Sequence, residues 1–188
     1  CVSNELERTL KHIEDNTKKL SQTISRFQTY FKPDEEITIT TFKDIKSVIE
    51  EFFHGYFEDK SIKIECNVQD GVNLSTYKDE LVNVIFNLVF NSYESLVRQD
   101  EKKKIIKITM QEEKDFFTFS VTDNGEPLRS EVKAHMFDPY FSTKEEKNGK
   151  GMGLYMAKMI IEKHCKGTIT IDDNAFGVTA TVKVPNLA

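Results

Sequence analysis

The sequence predicts an α/β domain, a mixed sheet with helices on one face, preceded by one long helix. Segments with alternating apolar residues, typical of strands, are interspersed with segments of helical periodicity. Residues 78–99 are apolar almost all the way round, which is typical of a buried helix. Residues 4–31 instead repeat apolar side chains at heptad spacing, and Pro33 ends that pattern. The predicted domains are therefore residues 1–33 and 34–188.

Composition excludes several classes of function. The chain has 188 residues, 38% of them hydrophobic, and a net charge of −5. Acidic and basic residues are interspersed, so no basic face favours nucleic acid. No segment approaches the roughly 18 apolar residues of a membrane span, and no signal peptide opens the chain. Cys66 and Cys165 are predicted to be reduced core residues of a cytosolic protein, whereas Cys1 in place of Met indicates a processed or designed fragment.

The long helix carries one narrow apolar stripe. Its apolar positions are Leu6, Leu10, Ile13, Leu20, Ile24, Phe27 and Phe31, with Thr17 in the one gap. Steps of four and three residues favour packing against another helix, in a coiled coil or an antiparallel bundle. We therefore expect a homodimer through residues 4–31; a helix lying on its own domain is the alternative.

The rest of the chain divides into short elements. Strands are predicted at 37–40, 61–68, 105–110, 116–122, 168–171 and 178–184, and helices at 44–57, 78–99 and 154–164. Residues 69–73 are interpreted as a turn leading directly into the second helix, and residues 112–115 as a hairpin turn. Residues 123–153 lack strong periodicity apart from a helical turn near 130–135, which predicts a functional loop.

An amide stripe runs along the buried helix, because Asn83, Asn87 and Asn91 recur every four residues. A buried amide without a partner costs about 1–3 kcal/mol, so the stripe must face partners or a wet site. For a single Asn, a hydrogen bond between helices is the simpler explanation, and we retain it for Asn83. Asn87 and Asn91, taken with the glycines downstream, predict one wall of a nucleotide pocket.

Three further motifs accompany the amides. Asp123-Asn124-Gly125 follows an apolar strand, where a carboxylate can accept a hydrogen bond from an exocyclic amine; an ordinary Asn-Gly turn is the alternative. Residues 137–144, FDPYFSTK, cluster aromatic side chains and favour a lid. Residues 149–154, GKGMGL, open a helix as phosphate-binding loops do, although no P-loop or dinucleotide pattern is matched.

In this order, the four motifs resemble the N, G1, F and G2 boxes of the sensor histidine kinases of two-component systems. Their ATP-binding domain has the Bergerat fold. Residues 177–179 resemble the final adenine-side motif of that family. The resemblance covers nearly the whole chain, since residues 4–31 resemble the second helix of the dimerisation and histidine-phosphotransfer hairpin.

The resemblance implies a function. The chain would bind Mg-ATP and transfer the γ-phosphate to a histidine of the dimerisation domain, for onward transfer to an aspartate of a response regulator. None of His12, His54, His135 and His164 stands in the family's phosphoacceptor pattern. The acceptor is therefore expected on a helix upstream of Cys1. The fragment is expected to be cytoplasmic, and a membrane anchor in the intact bacterial protein is left open.

The resemblance also assigns site residues. Asn91 would ligate Mg²⁺, and Asn87 would support the metal and the phosphates, with Lys144 as the third catalytic residue. Asp123 would bind the adenine amine, with Gly125 beneath the base and Thr179 beside it. The remaining nucleotide contacts would come from Gly149, Lys150, Gly151, Met152, Gly153 and Leu154.

One departure from the family and three alternatives remain. The first glycine box usually reads DxGxG, whereas Pro127 stands here and can neither donate an N–H nor adopt a positive φ.

A Bergerat-fold ATPase carries Glu where Asn87 stands, and an amide cannot act as a general base, which favours a kinase. An anti-sigma-type serine kinase lacks the long heptad helix. A nucleotide-binding-deficient pseudokinase would bind no Mg-ATP.

Overall fold

The computed structural model describes residues 36–54, 62–99, 103–143 and 151–187. The chain divides into two compact units, Cys1–Pro33 and Asp34–Ala188, and every described residue belongs to the second. The helix predicted over 4–31, and the homodimer predicted through it, lie outside the described residues. Within the described ranges, no helix is long and apolar enough to cross a membrane.

The elements follow one another in an α/β order. They are β1 (Thr38–Thr41), α1 (Phe42–His54), β2 (Ile62–Val68), β3 (Asn73–Thr76), α2 (Lys78–Val97), β4 (Lys104–Glu113), β5 (Phe116–Asp123), α3 (Ser130–His135), α4 (Gly153–Met159), a π-helical turn (Ile160–His164), β6 (Thr168–Asp173) and β7 (Val178–Pro185). The main sheet has the order β2-β4-β5-β7-β6. Strands β2 and β4 are parallel and the other neighbours are antiparallel, so the predicted mixed sheet is confirmed.

Helices cover one face of this sheet, as predicted. Along β5, Phe117 and Phe119 are buried, whereas Thr118 and Ser120 between them are half-buried on the outer face. Phe42, at the start of α1, meets the Phe117 and Phe119 rings edge-on, with ring centroids 5.8 and 5.4 Å away. Such ring pairs contribute about 0.5–1.5 kcal/mol beyond their burial. The aromatic residues therefore fix α1 against the centre of the sheet.

A reciprocal cap explains why α1 begins at Phe42. The Asp44 carboxylate accepts hydrogen bonds from the Thr41 N–H and the Thr41 hydroxyl, at 3.1 and 2.7 Å. In return, the Thr41 hydroxyl accepts from the Asp44 N–H at 3.0 Å. This arrangement satisfies N–H groups that a helix N-terminus otherwise leaves free. The helix predicted from residue 44 therefore starts two residues earlier.

The turn predicted at residues 69–73 does not lead directly into α2, and this prediction is wrong. Strand β3 intervenes and pairs with β1 in a separate two-stranded antiparallel sheet. Leu74 and Thr76 are buried, but four residues are too few to give a reliable alternating pattern. Near the C-terminus, the Leu187 N–H donates to the Ser75 carbonyl at 3.0 Å. This strand therefore depends on partners distant in sequence.

The helix predicted over 154–164 changes its winding at Ile160, where a π-helical turn follows α4. Ala157, Ile161 and Cys165 are all fully buried. These positions are four residues apart, a spacing that drifts around an α-helix with its 3.6 residues per turn. A π turn holds more residues per turn, and so it keeps the three side chains directed into the core.

Both described cysteines are free; Cys165 is buried in the core as predicted, whereas Cys66 on β2 is only half-buried. Burial raises the pKa of the Cys66 thiol to about 11 and that of the Cys165 thiol to about 12. The thiolate is the reactive form of cysteine, and it is scarce at neutral pH for both residues.

Candidate functional site

The amide stripe on α2 divides into a buried part and an accessible part. Asn83 is only 5% exposed, in agreement with a structural role. Asn87 and Asn91 are half-buried, whereas Phe86, the residue just before Asn87, is buried in the core. In the described part of the chain, no hydrogen bond occupies the Asn87 or Asn91 amide. Two neighbouring amide oxygens are therefore available to a ligand.

Helix α4 starts close to the Asn87 amide. A Cβ on Gly153 would lie 3.3 Å from Asn87 Oδ1, so a larger residue there would press on the Asn87 side chain. The preceding residue, Met152, provides no side-chain cap for the helix. Met152 and Leu154 are both half-buried beside this start. The structure thus brings the end of the GKGMGL motif to the amide stripe, as the sequence predicts.

Gly151 brings the aromatic motif into the same region. Its φ is +63°, and a Cβ there would lie 2.5 Å from the Tyr140 carbonyl carbon and 2.6 Å from the Phe141 carbonyl oxygen. Both neighbours are backbone atoms, which cannot rotate away. The chain around Tyr140 therefore rests directly on the glycine motif.

Gly151→Ala is expected to destabilise the fold by roughly 2–5 kcal/mol, because it adds a backbone clash to the strain of a positive φ. The matched control is Gly71→Ala, since Gly71 has a φ of +74° but no heavy atom within 4 Å of the position that an added methyl group would occupy. That variant carries only the conformational strain, about 1 kcal/mol. Urea unfolding of both variants measures the difference, and equal losses would refute the close contact at Gly151.

The aromatic side chains of residues 137–143 pack to different extents. The Phe137 ring lies against Lys158 of α4, with Nζ 5.3 Å from its centroid. The Phe141 ring contacts His135 at a centroid distance of 5.8 Å. Tyr140 remains 77% exposed and has a positive φ of 65°. Two of the three rings thus pack against a neighbouring side chain, and the lid predicted for this segment stays a prediction.

Asp123, the last residue of β5, bonds to Ser92, which follows Asn91 on α2. Its side chain is buried, and its Oδ1 accepts the Gly125 N–H at 2.9 Å. Burial raises the pKa of Asp123, while the Ser92 hydroxyl and the Gly125 N–H lower it. A carboxylate held in this way retains acceptor capacity for a ligand, and an ordinary Asn-Gly turn would not require its burial.

Gly125 is buried between Asp123 and the end of α2. A Cβ there would lie 2.7 Å from Asp123 Oδ1 and 3.1 Å from Gln99 Nε2. Gly177, at the start of β7, makes an even closer approach, since its Cβ would lie 2.1 Å from the Asp123 carbonyl oxygen. Side chains at either glycine would displace the Asp123 backbone or carboxylate.

The strand register does not favour the predicted position of Thr179 beside the base, because it directs Thr179 away from the Asp123 side of the sheet. Asp123 pairs with Val178, and Thr122 pairs with Thr179. Neighbouring residues of a strand point to opposite faces, so the Thr179 hydroxyl lies on the outer face of the sheet. There it bonds to the Thr122 hydroxyl at 3.0 Å and accepts from Asn174 Nδ2 at 2.7 Å. Val178 therefore shares the face of Asp123.

Ser92 is a site residue that the sequence prediction missed. It follows Asn91 on α2 and is buried, with its hydroxyl bonded to Asp123. The signal was present, because Ser92 is one more polar residue on a helix that is otherwise apolar. Lys144, Gly149 and Lys150 of the predicted site lie outside the described residues.

The amide oxygens fit a magnesium–nucleotide complex chemically. Mg²⁺ prefers oxygen ligands, keeps several waters and is usually bound through few protein groups plus phosphates. The described residues contain no group of three or more His, Cys, Asp or Glu side chains that could hold a metal alone. Asn91 lies one helical turn from Asn87, and its amide has no hydrogen-bond partner among the described residues, so it is suited to share an ion with bound phosphates.

Comparison with known proteins identifies a family and several relatives of this chain. A family model described as histidine kinase-, DNA gyrase B- and HSP90-like ATPase matches residues 76–188. The chain is 34% identical over 107 residues to a probable C4-dicarboxylate sensor kinase of Halalkalibacterium halodurans, covering 56% of this chain and 20% of that protein. It is 26% identical over 211 residues to the heme sensor protein HssS of Staphylococcus saprophyticus, covering 98% of this chain and 46% of that protein.

Solved structures share the fold. The catalytic domain of histidine kinase ThkA superposes with a TM-score of 0.71 at 24% identity, covering 80% of this chain and 96% of that one. ThkA in complex with the response regulator protein TrrA gives a TM-score of 0.68 at 21% identity, covering 93% of this chain and 49% of that one. The chain spans only a fifth to about half the length of the curated relatives named above.

Proposed function

Because this chain belongs to the histidine kinase-, DNA gyrase B- and HSP90-like ATPase family and is a histidine kinase catalytic domain, we propose that it phosphorylates a histidine of its own dimerisation domain, using Mg-ATP. The phosphate then passes to an aspartate of a response regulator. The observation that carries this proposal is the pair of amides at Asn87 and Asn91 on α2, which no hydrogen bond among the described residues occupies. The buried carboxylate of Asp123 bonds to Ser92, the next residue of the same helix.

The two sides of the site have different roles. Asn91 ligates Mg²⁺ through its amide oxygen, and Asn87 supports the metal and the phosphates. Asp123 accepts a hydrogen bond from the adenine amine, with Gly125 beneath the base. Gly151 and Gly153 let the backbone approach the phosphates, together with Met152 and Leu154. A metal held by Asn91 would neutralise charge on the phosphates, which is most of what phosphoryl transfer requires besides positioning.

The amide at position 87 favours transfer to a protein over transfer to water. A hydrolase needs a general base to activate water, and an amide cannot take that proton. The Asp123 carboxylate is buried and already accepts the Gly125 N–H. ATP bound here is therefore not hydrolysed, and its γ-phosphate is transferred only when an acceptor histidine reaches the site.

Three further parts of the proposal concern the rest of the protein. Lys144, Gly149 and Lys150 add charge and backbone contacts on the phosphate side. Residues 4–31 form the homodimer and lie next to the histidine-bearing helix. The intact protein pairs with a response regulator, as ThkA does in its complex with TrrA.

Phosphorylation in trans tests this function. The 188-residue chain is incubated with labelled ATP and a longer form of the protein that carries the upstream helix and an Asn91→Ala substitution. We expect label on the longer form and none on the 188-residue chain, because none of the four histidines of this chain stands in the acceptor pattern. Stable label on His12, His54, His135 or His164 would contradict the proposal.

A further inference from the structure

The segment that follows Asp123 is attached to the start of β4 through its first residue, Asn124. Asn124 Oδ1 accepts the Ile105 N–H at 2.7 Å, and Asn124 Nδ2 donates to the Lys103 carbonyl at 2.7 Å. Residues 124–129 then continue without regular structure to α3. Pro127 has no N–H, and Glu126 and Pro127 are both exposed. The middle of the segment therefore needs an anchor from elsewhere.

Asp173, the last residue of β6, provides that anchor. Its Oδ1 accepts the Leu128 N–H at 3.0 Å, and its Oδ2 forms an ion pair with Lys133 of α3. The two oxygens of one carboxylate thus hold the backbone just after Pro127 and the helix that follows. The Lys133 ammonium and the Leu128 N–H both lower the pKa of Asp173, so that the carboxylate stays ionised.

The anchor lies across the sheet from Asp123. Strand β7 stands between β5 and β6, so the segment crosses the end of β7. Gly177 permits this crossing, because its Cβ would lie 2.9 Å from the Asn124 Cα. The path of the segment from Asp123 to α3 is thus defined by Asn124 at one end, Gly177 below and Asp173 at the other end.

We propose that Asp173 is a positioning residue for the nucleotide base, acting by holding residues 124–133 so that Gly125 and Asp123 keep their places. The inference rests on the proposed function, since it assumes that Asp123 and Gly125 bind adenine. Asp173 itself does not touch the base. Because it acts on the base side alone, its loss weakens ATP and ADP equally and leaves the rate at saturating ATP unchanged.

Calorimetry with ATP and ADP on the 188-residue chain tests this inference. Asp173→Ala is expected to raise the Kd of both nucleotides about tenfold. Asp173→Asn keeps an acceptor for the Leu128 N–H and Lys133→Met keeps the carboxylate, so each is expected to raise both Kd values about two- to threefold. The matched control is Asp172→Ala, which removes an exposed carboxylate from the adjacent position of β6 and is expected to leave both Kd values unchanged.

Hydrogen exchange at the Leu128 amide, measured without nucleotide, gives an independent result. It is expected to be faster in Asp173→Ala and close to wild type in Asp173→Asn. Unchanged exchange and unchanged Kd values in Asp173→Ala overturn the inference while the wild-type chain still binds ATP. A wild-type chain that binds no ATP instead refutes the proposed function. If Asp173→Ala does not fold, Lys133→Met decides: wild-type affinity for both nucleotides overturns the inference, and a parallel loss supports it.

Discussion

Asn91→Ala is expected to bind ATP no more tightly in Mg²⁺ than in excess EDTA. The wild-type chain should gain affinity from the metal, because Asn91 supplies the protein oxygen that joins Mg²⁺ to the site. The Asn91 amide is half-buried and has no hydrogen-bond partner among the described residues, so truncating it removes little else. Loss of a metal ligand should lower metal-dependent affinity on the order of a hundredfold. Calorimetry at fixed ATP with and without Mg²⁺ measures this difference.

Two other asparagines provide matched controls for Asn91. Asn67 is exposed on β2, and Asn67→Ala should change neither affinity nor stability. Asn83 lies on the same helix face but is buried, so Asn83→Ala should lower the midpoint of thermal unfolding while metal-dependent binding persists. Wild-type Mg-ATP affinity in Asn91→Ala would refute the assignment of Asn91 as the metal ligand.

Asp123→Asn is expected to bind ATP about 10- to 100-fold more weakly, and also to unfold at a higher temperature. The weaker binding follows because a charged acceptor contributes roughly 1.5–3 kcal/mol to a hydrogen bond. The greater stability follows because burial raises the pKa of Asp123, which means that the fold disfavours its charge. An amide of the same shape can still accept the Gly125 N–H without that cost.

The pH dependence of the wild-type chain follows from the same raised pKa. Between the usual value of 3.8 and the raised value, the folded chain binds more protons than the unfolded chain. Stability attributable to Asp123 is therefore present at low pH and is lost as pH rises through the raised pKa. The excess stability of Asp123→Asn should therefore develop as pH rises above 3.8 and be complete once pH exceeds the raised pKa. ATP affinity should change in the opposite sense, falling as pH is lowered through the raised pKa.

The control for Asp123→Asn is Asp115→Asn, in the exposed turn between β4 and β5. That substitution removes the same charge from the chain, and it should change neither ATP affinity nor thermal stability. If Asp123→Asn kept wild-type affinity, or if Asp115→Asn weakened binding as much, the adenine-binding role of Asp123 would be wrong.

Local patterns predicted local structure well. The helical turn near residues 130–135 and the hairpin between β4 and β5 depend on neighbouring residues, and both are present in the structure. Strand β3 was missed because its four residues are strand only through pairing with β1 and bonding to the C-terminal residues. The π turn at Ile160 was missed because only the packed core requires it.

Site residues that belong to a sequence motif were predicted, whereas those that act through a contact with a residue far away in the sequence were missed. Gly153 approaches the Asn87 amide, and Asp123 bonds to Ser92, the residue that follows Asn91, so these motifs all reach α2. The Thr179 prediction followed the motif but not the register, which directs that hydroxyl to the outer face. The role of Asp173 arises from a hydrogen bond to Leu128, 45 positions away, and no sequence pattern indicated that contact.

The destination of the γ-phosphate tests the central claim most directly. In the trans reaction with the longer Asn91→Ala form, bound label is measured against inorganic phosphate released over the same time. A histidine kinase should place the label in an acid-labile, base-stable bond on the longer form, with little phosphate released when that form is omitted. Rapid phosphate release from the 188-residue chain alone, without labelled protein, would contradict the account and indicate an ATPase instead.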